Sequence, residues 1–414
     1  MACDFAHPCA IFRQQMAGTY RRAEASILPV FAWAHFSHHL AVGGLLPLLP
    51  LVRDEFGLDY LLSGTLVSAF SLAYGFAQVP LAFLVDRYRL RKSLIIVLGL
   101  LGAALASIGI GFSLTYGQML ALLVLTGVAG STYHALASSF LSEYFPADSR
   151  GRSLGLHVVG GSASFIATPA LALGILNLTG SWRAAFIGLG LPALAAGLLL
   201  LWLVAGQEKV MVSSRPRAPS LPILEVLRLI GLLAVIAAVM QVVTGGINTF
   251  LPLYLVDRHG VPRELAGIAV GLVAGAGIVG APVGGALSDR VGRKPVILLS
   301  VLLSGPLLYL ITLAPQGAAL YLLIVLYGLA ISMRMPTMES LIADVVPAAR
   351  RATVLSAYYF LANEVSGVAT PLIGLLSDLT DLNTAFVVLA IFSIVAGGLA
   401  ALLRGGREKT VAGP

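Results

Sequence analysis

Twelve apolar runs, each close to the ~20 residues a helix needs to cross a bilayer, occupy most of this 414-residue chain. They fall at 28–50, 62–84, 94–113, 118–142, 153–176 and 182–204, then at 226–256, 264–287, 296–314, 318–342, 352–376 and 383–403. In lipid every backbone N–H and C=O must be satisfied inside its own segment, so runs of this length have to be helices. Glycine and proline inside them are better tolerated in a bilayer than in water. Hydrophobic residues make up 58% of the chain and charged residues only 11%, against about 25% charged in soluble domains. That balance excludes a disordered chain, a nucleic-acid-binding domain and a conventional soluble enzyme.

The connections alternate in charge. One set carries Arg87, Arg89, Arg91 and Lys92, then Arg150 and Arg152, then Lys209, Arg215 and Arg217, then Arg290, Arg293 and Lys294, then Arg350 and Arg351. Both terminal segments, with Arg13, Arg21 and Arg22 and with Arg404, Arg407 and Lys409, belong to the same set. The opposite set holds Arg53, Arg183, Arg258 and Arg263. Basic residues stay on the cytoplasmic side, so both termini are expected there, in the inner membrane of a bacterium. The net charge of +7 is thus a topology signal, and no nucleic-acid partner is expected. Residues 1–27 read as a cytoplasmic tail without a signal peptide, and translation from Met16 would remove only residues that show no structural pattern. Cys3 and Cys9 give no disulfide framework. The expected organisation is a tail over 1–27, a six-helix bundle over 28–204, a linker over 205–225, a second bundle over 226–404 and a tail over 405–414.

The two halves repeat. Asp86 in LAFLVDRYRLRK matches Asp289 in GGALSDRVGRK at an offset of 203. Glu143, Pro146 and Arg150 match Asp344, Pro347 and Arg351 at 201, and Ala167-Thr168-Pro169 matches Ala369-Thr370-Pro371 at 202. Six helices per copy makes the repeats parallel, as in alternating-access transporters.

GGALSDRVGRK (284–294), with Gly285, Asp289, Arg290, Gly292, Arg293 and Lys294, resembles the signature loop of the major facilitator superfamily. In the first copy Ala82 and Arg89 replace the glycines and the basic pair moves to Arg91-Lys92. The resemblance implies an all-α membrane protein of twelve transmembrane helices in two pseudo-symmetric six-helix bundles. It also implies gating at Asp86, Arg87, Glu143, Gly285, Asp289, Arg290, Arg293 and Asp344. There the glycine permits close helix approach, the aspartate accepts from a facing helix N-terminus, and the basic residues pair with Glu143 or Asp344. Three further stretches, 37–58, 127–139 and 157–171, resemble the fosmidomycin-resistance branch, although Ala135 follows Tyr133-His134 where that branch has proline.

Ionisable groups at membrane depth are costly and mark candidate sites. Arg334 and Glu364 are expected as partners within the second half, either as a fixed ion pair or with Arg334 binding an anionic group while Glu364 takes a proton. Glu339 sits nearer the interface. His35, His38 and His39 lie in the first run, with His35 three and four residues from the others. Histidine suits a proton relay, a polar contact or an interhelical hydrogen bond. Metal is not expected, because no carboxylate or cysteine accompanies them. His38 and His39 point in different directions, so one of them at most is expected to share a cavity side with His35. By resemblance, the first, fourth, seventh and tenth helices line the cavity, which favours His35, His39, His134, Gln241, Asn248 and Arg334, with Asn363 and Glu364 beside them. His157, Gln78 and Tyr359 are further polar candidates. Met333, Met335 and Met338 around Arg334 are either adaptable ligand contacts or fillers.

No GxxxxGK[ST] phosphate loop, HExxH or CxxC is present, so neither ATP-driven transport by this chain alone nor a metal cofactor is expected. The family's antiporter glycine series in the fifth helix is incomplete, since Thr168 rather than glycine precedes Pro169. The expected function is secondary active transport by alternating access, most simply proton-coupled export of a small polar or amphipathic compound. Uptake of a small organic anion and a non-transporting sensor are the competing readings. A membrane-embedded enzyme would need a nucleophile–base or metal constellation that these residues do not assemble. One chain holds both halves, so a monomer suffices and no obligate protein partner is implied.

Overall fold

A computed structural model describes residues 27–88, 90–145, 150–204, 223–346 and 351–403, and no strand occurs among them. The first span combines a helix over 27–43 with Leu45–Phe56. It is followed by Tyr60–Arg87, Lys92–Ile110, the pair Tyr116–Gly130 and Tyr133–Tyr144, Arg150–Thr179 and Trp182–Val204. The second half contains Ile223–His259, the pair Arg263–Ala266 and Ile268–Val291, and Arg293–Leu313. It continues with the pair Ala318–Ser332 and Arg334–Val345, then Arg351–Leu379 and Leu382–Ala401. Eleven of the twelve spans are each long and apolar enough to cross a membrane. The first, interrupted at Gly44, completes the set. Large apolar side chains face outward around the bundle, such as Leu98, Leu105, Leu198, Leu302 and Val395, as lipid contact requires. The chain is therefore an integral, multi-pass, all-α membrane protein of two six-helix bundles. The expected tails, most of the linker, and the side chains of Asp86, Arg150 and Arg351 lie outside the described residues. The seventh span begins at Ile223, inside the stretch assigned to the linker.

Four spans are broken, and sequence explains three of the breaks. Pro47 and Pro336 cannot donate to the carbonyls four residues earlier, at Gly43 and Ser332, beside the interruptions at Gly44 and Met333. In the fourth span the Ser131 and Thr132 hydroxyls bond back to the Val128 and Ala129 carbonyls at 2.7 and 2.9 Å, competing with the helix ladder. The tenth span repeats this device, with Ser332 donating to Leu329 at 3.0 Å. Each break starts a new helix at a polar residue: Tyr133-His134 in one half and Arg334 in the other.

The core shows how the halves sit. Because the spans alternate in direction, residues 27 and 403 lie at one end, called here the terminal end. At the opposite, distal end, one apolar core joins both halves, with Leu48, Leu66, Leu173 and Phe186 packed with Ile247, Phe250, Tyr254 and Phe386. Towards the terminal end it divides into separate cores. One holds Phe31, Ile96, Tyr133 and Phe140; the other holds Ile236, Met240, Met338 and Tyr358. The second and eleventh spans form one seam, from the Ser68 hydroxyl on the Gly367 carbonyl (2.6 Å) to Phe76 against Phe360. The fifth and eighth form the other, with Pro169 and Ile166 against Gly271 and Gly275. The halves are fused distally and parted at the terminal end.

Candidate functional site

The first half gathers five histidines. His35, His38 and His39 come from the first span, His134 from the fourth and His157 from the fifth. Ring centroids of His35 lie 4.2 Å from His157, 4.9 Å from His134 and 5.1 Å from His39. His38 stacks on Tyr133 at 4.9 Å and reaches His134 at 5.2 Å. The expected divergence of His38 and His39 does not separate them from the cluster, because His134 spans the gap. Close approach makes this possible. A Cβ at Gly160 would collide with the Ala32 carbonyl, and one at Gly161 with the His35 ring. These glycines therefore press the fifth span onto the first. The His35 Nδ1 donates to the His157 carbonyl at 2.8 Å, and the His157 Nδ1 to the Phe31 carbonyl at 3.2 Å. A carbonyl only accepts, so in the neutral rings both Nε2 atoms carry the lone pair. Beside the cluster a cleft of about 840 Å³ runs between these two spans near the terminal end, lined by Ala32, Trp33, Phe36, Arg152 and Gly160.

The second half is arranged differently. Arg334 is buried, and its Nη1 meets the Met338 sulfur at 3.6 Å, where the Tyr358 hydroxyl also converges at 3.5 Å. Gln241 donates to Asn363 at 3.2 Å, joining the seventh and eleventh spans. Asn248, two turns further along, is half-buried. The Tyr359 hydroxyl donates to Glu339.

The expected Arg334–Glu364 pair is not formed. Arg334 runs along its own helix towards residue i+4, into the core of its own half. Glu364 leans the other way, across the seam onto Gly75 of the second span, where a Cβ would overlap its carboxylate. Both Glu364 oxygens are buried without a hydrogen-bond partner, and so is the Arg334 Nε. Glu364 is 8% exposed. An unpaired carboxylate at that depth is costly as an anion and far less so when protonated.

A distal clasp escaped the sequence reading. Arg53 at the end of the first span forms a two-pronged ion pair with Asp257 at the end of the seventh, the Nη2–Oδ1 contact being 2.7 Å. Tyr60 donates to the same carboxylate at 2.6 Å. Asp54 pairs with Arg53 and with Arg263 of the eighth span. Asp378 of the eleventh span accepts from the Tyr60 and Leu61 backbone N–H groups at 2.9 and 2.8 Å, capping a helix of the other half. The signal lies in the charge pattern of that face, where Asp54, Asp257 and Asp378 accompany Arg53 and Arg263.

At the terminal end the signature loops hold each half together internally. Lys92 pairs with Glu143 at 2.5 Å, and Arg293 with Asp344 at 3.2 Å. Both members are separated from their counterparts by 201 residues, so one ion pair occurs twice. Asp289 bonds to Arg293 at 2.5 Å rather than to a facing helix N-terminus, among the described residues. Arg87 lies over the Tyr88 ring, and Arg290 is exposed. Gly285 faces open space. Its neighbour Gly284 makes the close approach, against the Met333 backbone. Gly292 has φ +97°, which closes the turn between spans eight and nine.

The sequence model of the Major Facilitator Superfamily matches residues 31–280 and 233–414. The fosmidomycin resistance protein of Escherichia coli K12 is 23% identical over 399 residues, covering 94% of this chain and 96% of that protein. The probable sulfoacetate transporter SauU of Cupriavidus necator is 26% identical over 289 residues, covering 65% of each chain. Among solved structures, a bacterial homolog of the human lysosomal transporter Spinster, inward-facing and unoccupied, superimposes with a TM-score of 0.79 at 18% identity. That match covers 92% of this chain and 96% of the other.

Proposed function

The chain belongs to the major facilitator superfamily, and from that premise we propose that it exports a small polar or amphipathic compound in exchange for protons by alternating access. The observation that carries this reading is Glu364, a buried carboxylate without a partner, lodged between the halves against Gly75. Proton uptake there removes the cost of a bare charge in the seam, so its protonation state biases how closely the second and eleventh spans pack. The coupling ion is H⁺. The basic terminal end faces the cytoplasm of a bacterial cell, which makes the described state open inward and closed outward. Gln241, Asn248, Arg334 and Asn363 supply polar contacts to the transported compound.

A second reading, uptake of a small organic anion, draws on the buried Arg334 and on the similarity to a probable sulfoacetate transporter. One experiment separates the two. The chain and its Glu364→Gln variant are expressed at matched membrane levels in an efflux-deficient bacterium, and growth is scored across a compound panel including fosmidomycin. Selective protection that the variant loses is the expected result. No protection, together with concentrative uptake of labelled sulfonates or carboxylates, replaces export by uptake.

A further inference from the structure

We propose that the histidine cluster of the first half is a binding site for a divalent transition-metal ion of the zinc class, held by His35, His39 and His134. The ligand nitrogens of these three side chains lie within 4.8 Å of one another. Tetrahedral coordination at about 2.0–2.1 Å from nitrogen to metal brings ligand nitrogens to roughly 3.4 Å apart, a closure that rotation of the rings can supply. His35 and His39 are one helical turn apart on the first span, and His134 enters from the start of the helix that follows the break in the fourth. Two helices thus hold a three-nitrogen face.

The His35 ring is already oriented as a ligand. It is 6% exposed, and its Nε2 is buried without a hydrogen-bond partner. Its Nδ1–H is tied to the His157 carbonyl at 2.8 Å. A metal-binding imidazole is ordinarily fixed in this way, by donating its other ring N–H to a carbonyl or carboxylate. His38, 1% exposed with neither ring nitrogen partnered, stands 5.2 Å from the His134 ring and completes the wall behind the site. His39 and His134 are partly exposed, which leaves a path of entry.

The donor set selects the ion. Imidazole nitrogen without carboxylate suits zinc, copper, nickel and cobalt, and disfavours magnesium and calcium. Three neutral rings leave the dipositive charge uncompensated at membrane depth, so the fourth ligand is an anionic oxygen, from hydroxide or a bound oxyanion. The sequence disfavours metal because no carboxylate or cysteine accompanies the first-span histidines; in the fold His134 supplies the third donor nitrogen.

The test uses the full chain in detergent, stripped of metal, with Cys3 and Cys9 changed to serine so that the tail supplies no thiolate. Cobalt(II) is titrated, and the visible d–d bands report coordination. The expected result is one ion per chain with intense four-coordinate bands, displaced by zinc(II), and affinity reduced at least tenfold in His39→Gln and in His134→Gln. Zinc X-ray absorption on the unsubstituted cluster is the control for misfolded variants. It should show imidazole nitrogens at about 2.0 Å. Weak six-coordinate bands, retained affinity in both variants, or a zinc shell with fewer than three imidazoles would overturn the site.

Discussion

The two halves share a backbone plan and diverge in their interiors. At an offset of 202, His39 corresponds to Gln241, His35 to Ala237 and His38 to Met240; at 201, Tyr133 corresponds to Arg334 and His157 to Tyr358. The first half therefore fills its polar interior with closely packed imidazoles, of which His35 and His157 bond to carbonyls while the His35 Nε2 and both His38 nitrogens are left without a partner. The second replaces them with one guanidinium, an amide pair and thioethers. What both keep is mechanical: the broken fourth and tenth spans, the serine back-bond at each break, and the Lys92–Glu143 and Arg293–Asp344 pairs. Scaffold contacts repeat and interior polar groups do not, so one duplicated fold holds two unlike sets of polar side chains.

The largest effect expected from breaking this asymmetry is at Arg334. Arg334→Ala should weaken binding of anionic compounds at least tenfold, about 1.4 kcal/mol, and leave neutral compounds nearly unchanged. His39→Gln should not reproduce that pattern. Equal losses for both charge classes in scintillation-proximity binding would mean that Arg334 serves only packing against Met338. Next is the distal clasp, which joins the halves where the terminal loops do not. Arg53→Ala leaves Asp257 without its principal partner, so the distally open population should rise several-fold. Spin labels at Leu114 and Leu379, both exposed at that end, would report it as a longer inter-half distance. An unchanged distance distribution would remove the clasp from gating.

Asp289→Asn should slow exchange between open states about two- to fivefold without changing which compounds bind, as tryptophan-quenching kinetics would show. A shifted compound profile would count against a purely conformational role. The smallest effects belong to the repeated pairs. Lys92→Ala and Arg293→Ala should each cost about 0.2–1 kcal/mol of stability. The first should cost more, since the Lys92 and Glu143 side chains are 18% and 20% exposed, whereas Asp344 is 45% exposed. The reverse order in thermal melts would show that the two loops are not equivalent.

Much of this was legible in the sequence because lipid leaves few choices. The apolar runs predict all twelve spans to within a few residues, and the signature-loop resemblance implies basic partners for Glu143 and Asp344, which are Lys92 and Arg293. What escaped depends on side-chain direction. Depth along a helix placed Arg334 beside Glu364, but depth does not say which way a side chain leaves its helix, and these two leave in opposite directions. Gly285 was singled out by the motif, yet Gly284 faces the tenth span, a distinction of about 100° of helix rotation. The distal clasp was hidden because it joins residues about 200 apart, and its basic members, Arg53 and Arg263, are equally explained as orientation markers. The histidine cluster was half visible: three rings shared one run, while His134 and His157 needed the fold to bring them in.

The central claim is that protons act through Glu364 while the bound compound moves by rocking of the halves. The direct measurement is flux of one labelled compound in proteoliposomes, once with an imposed pH gradient and once as counterflow without one. Wild type should show both, and Glu364→Gln should keep counterflow while losing gradient-driven flux by at least tenfold. Gradient-driven flux at wild-type rate in that variant would contradict the account.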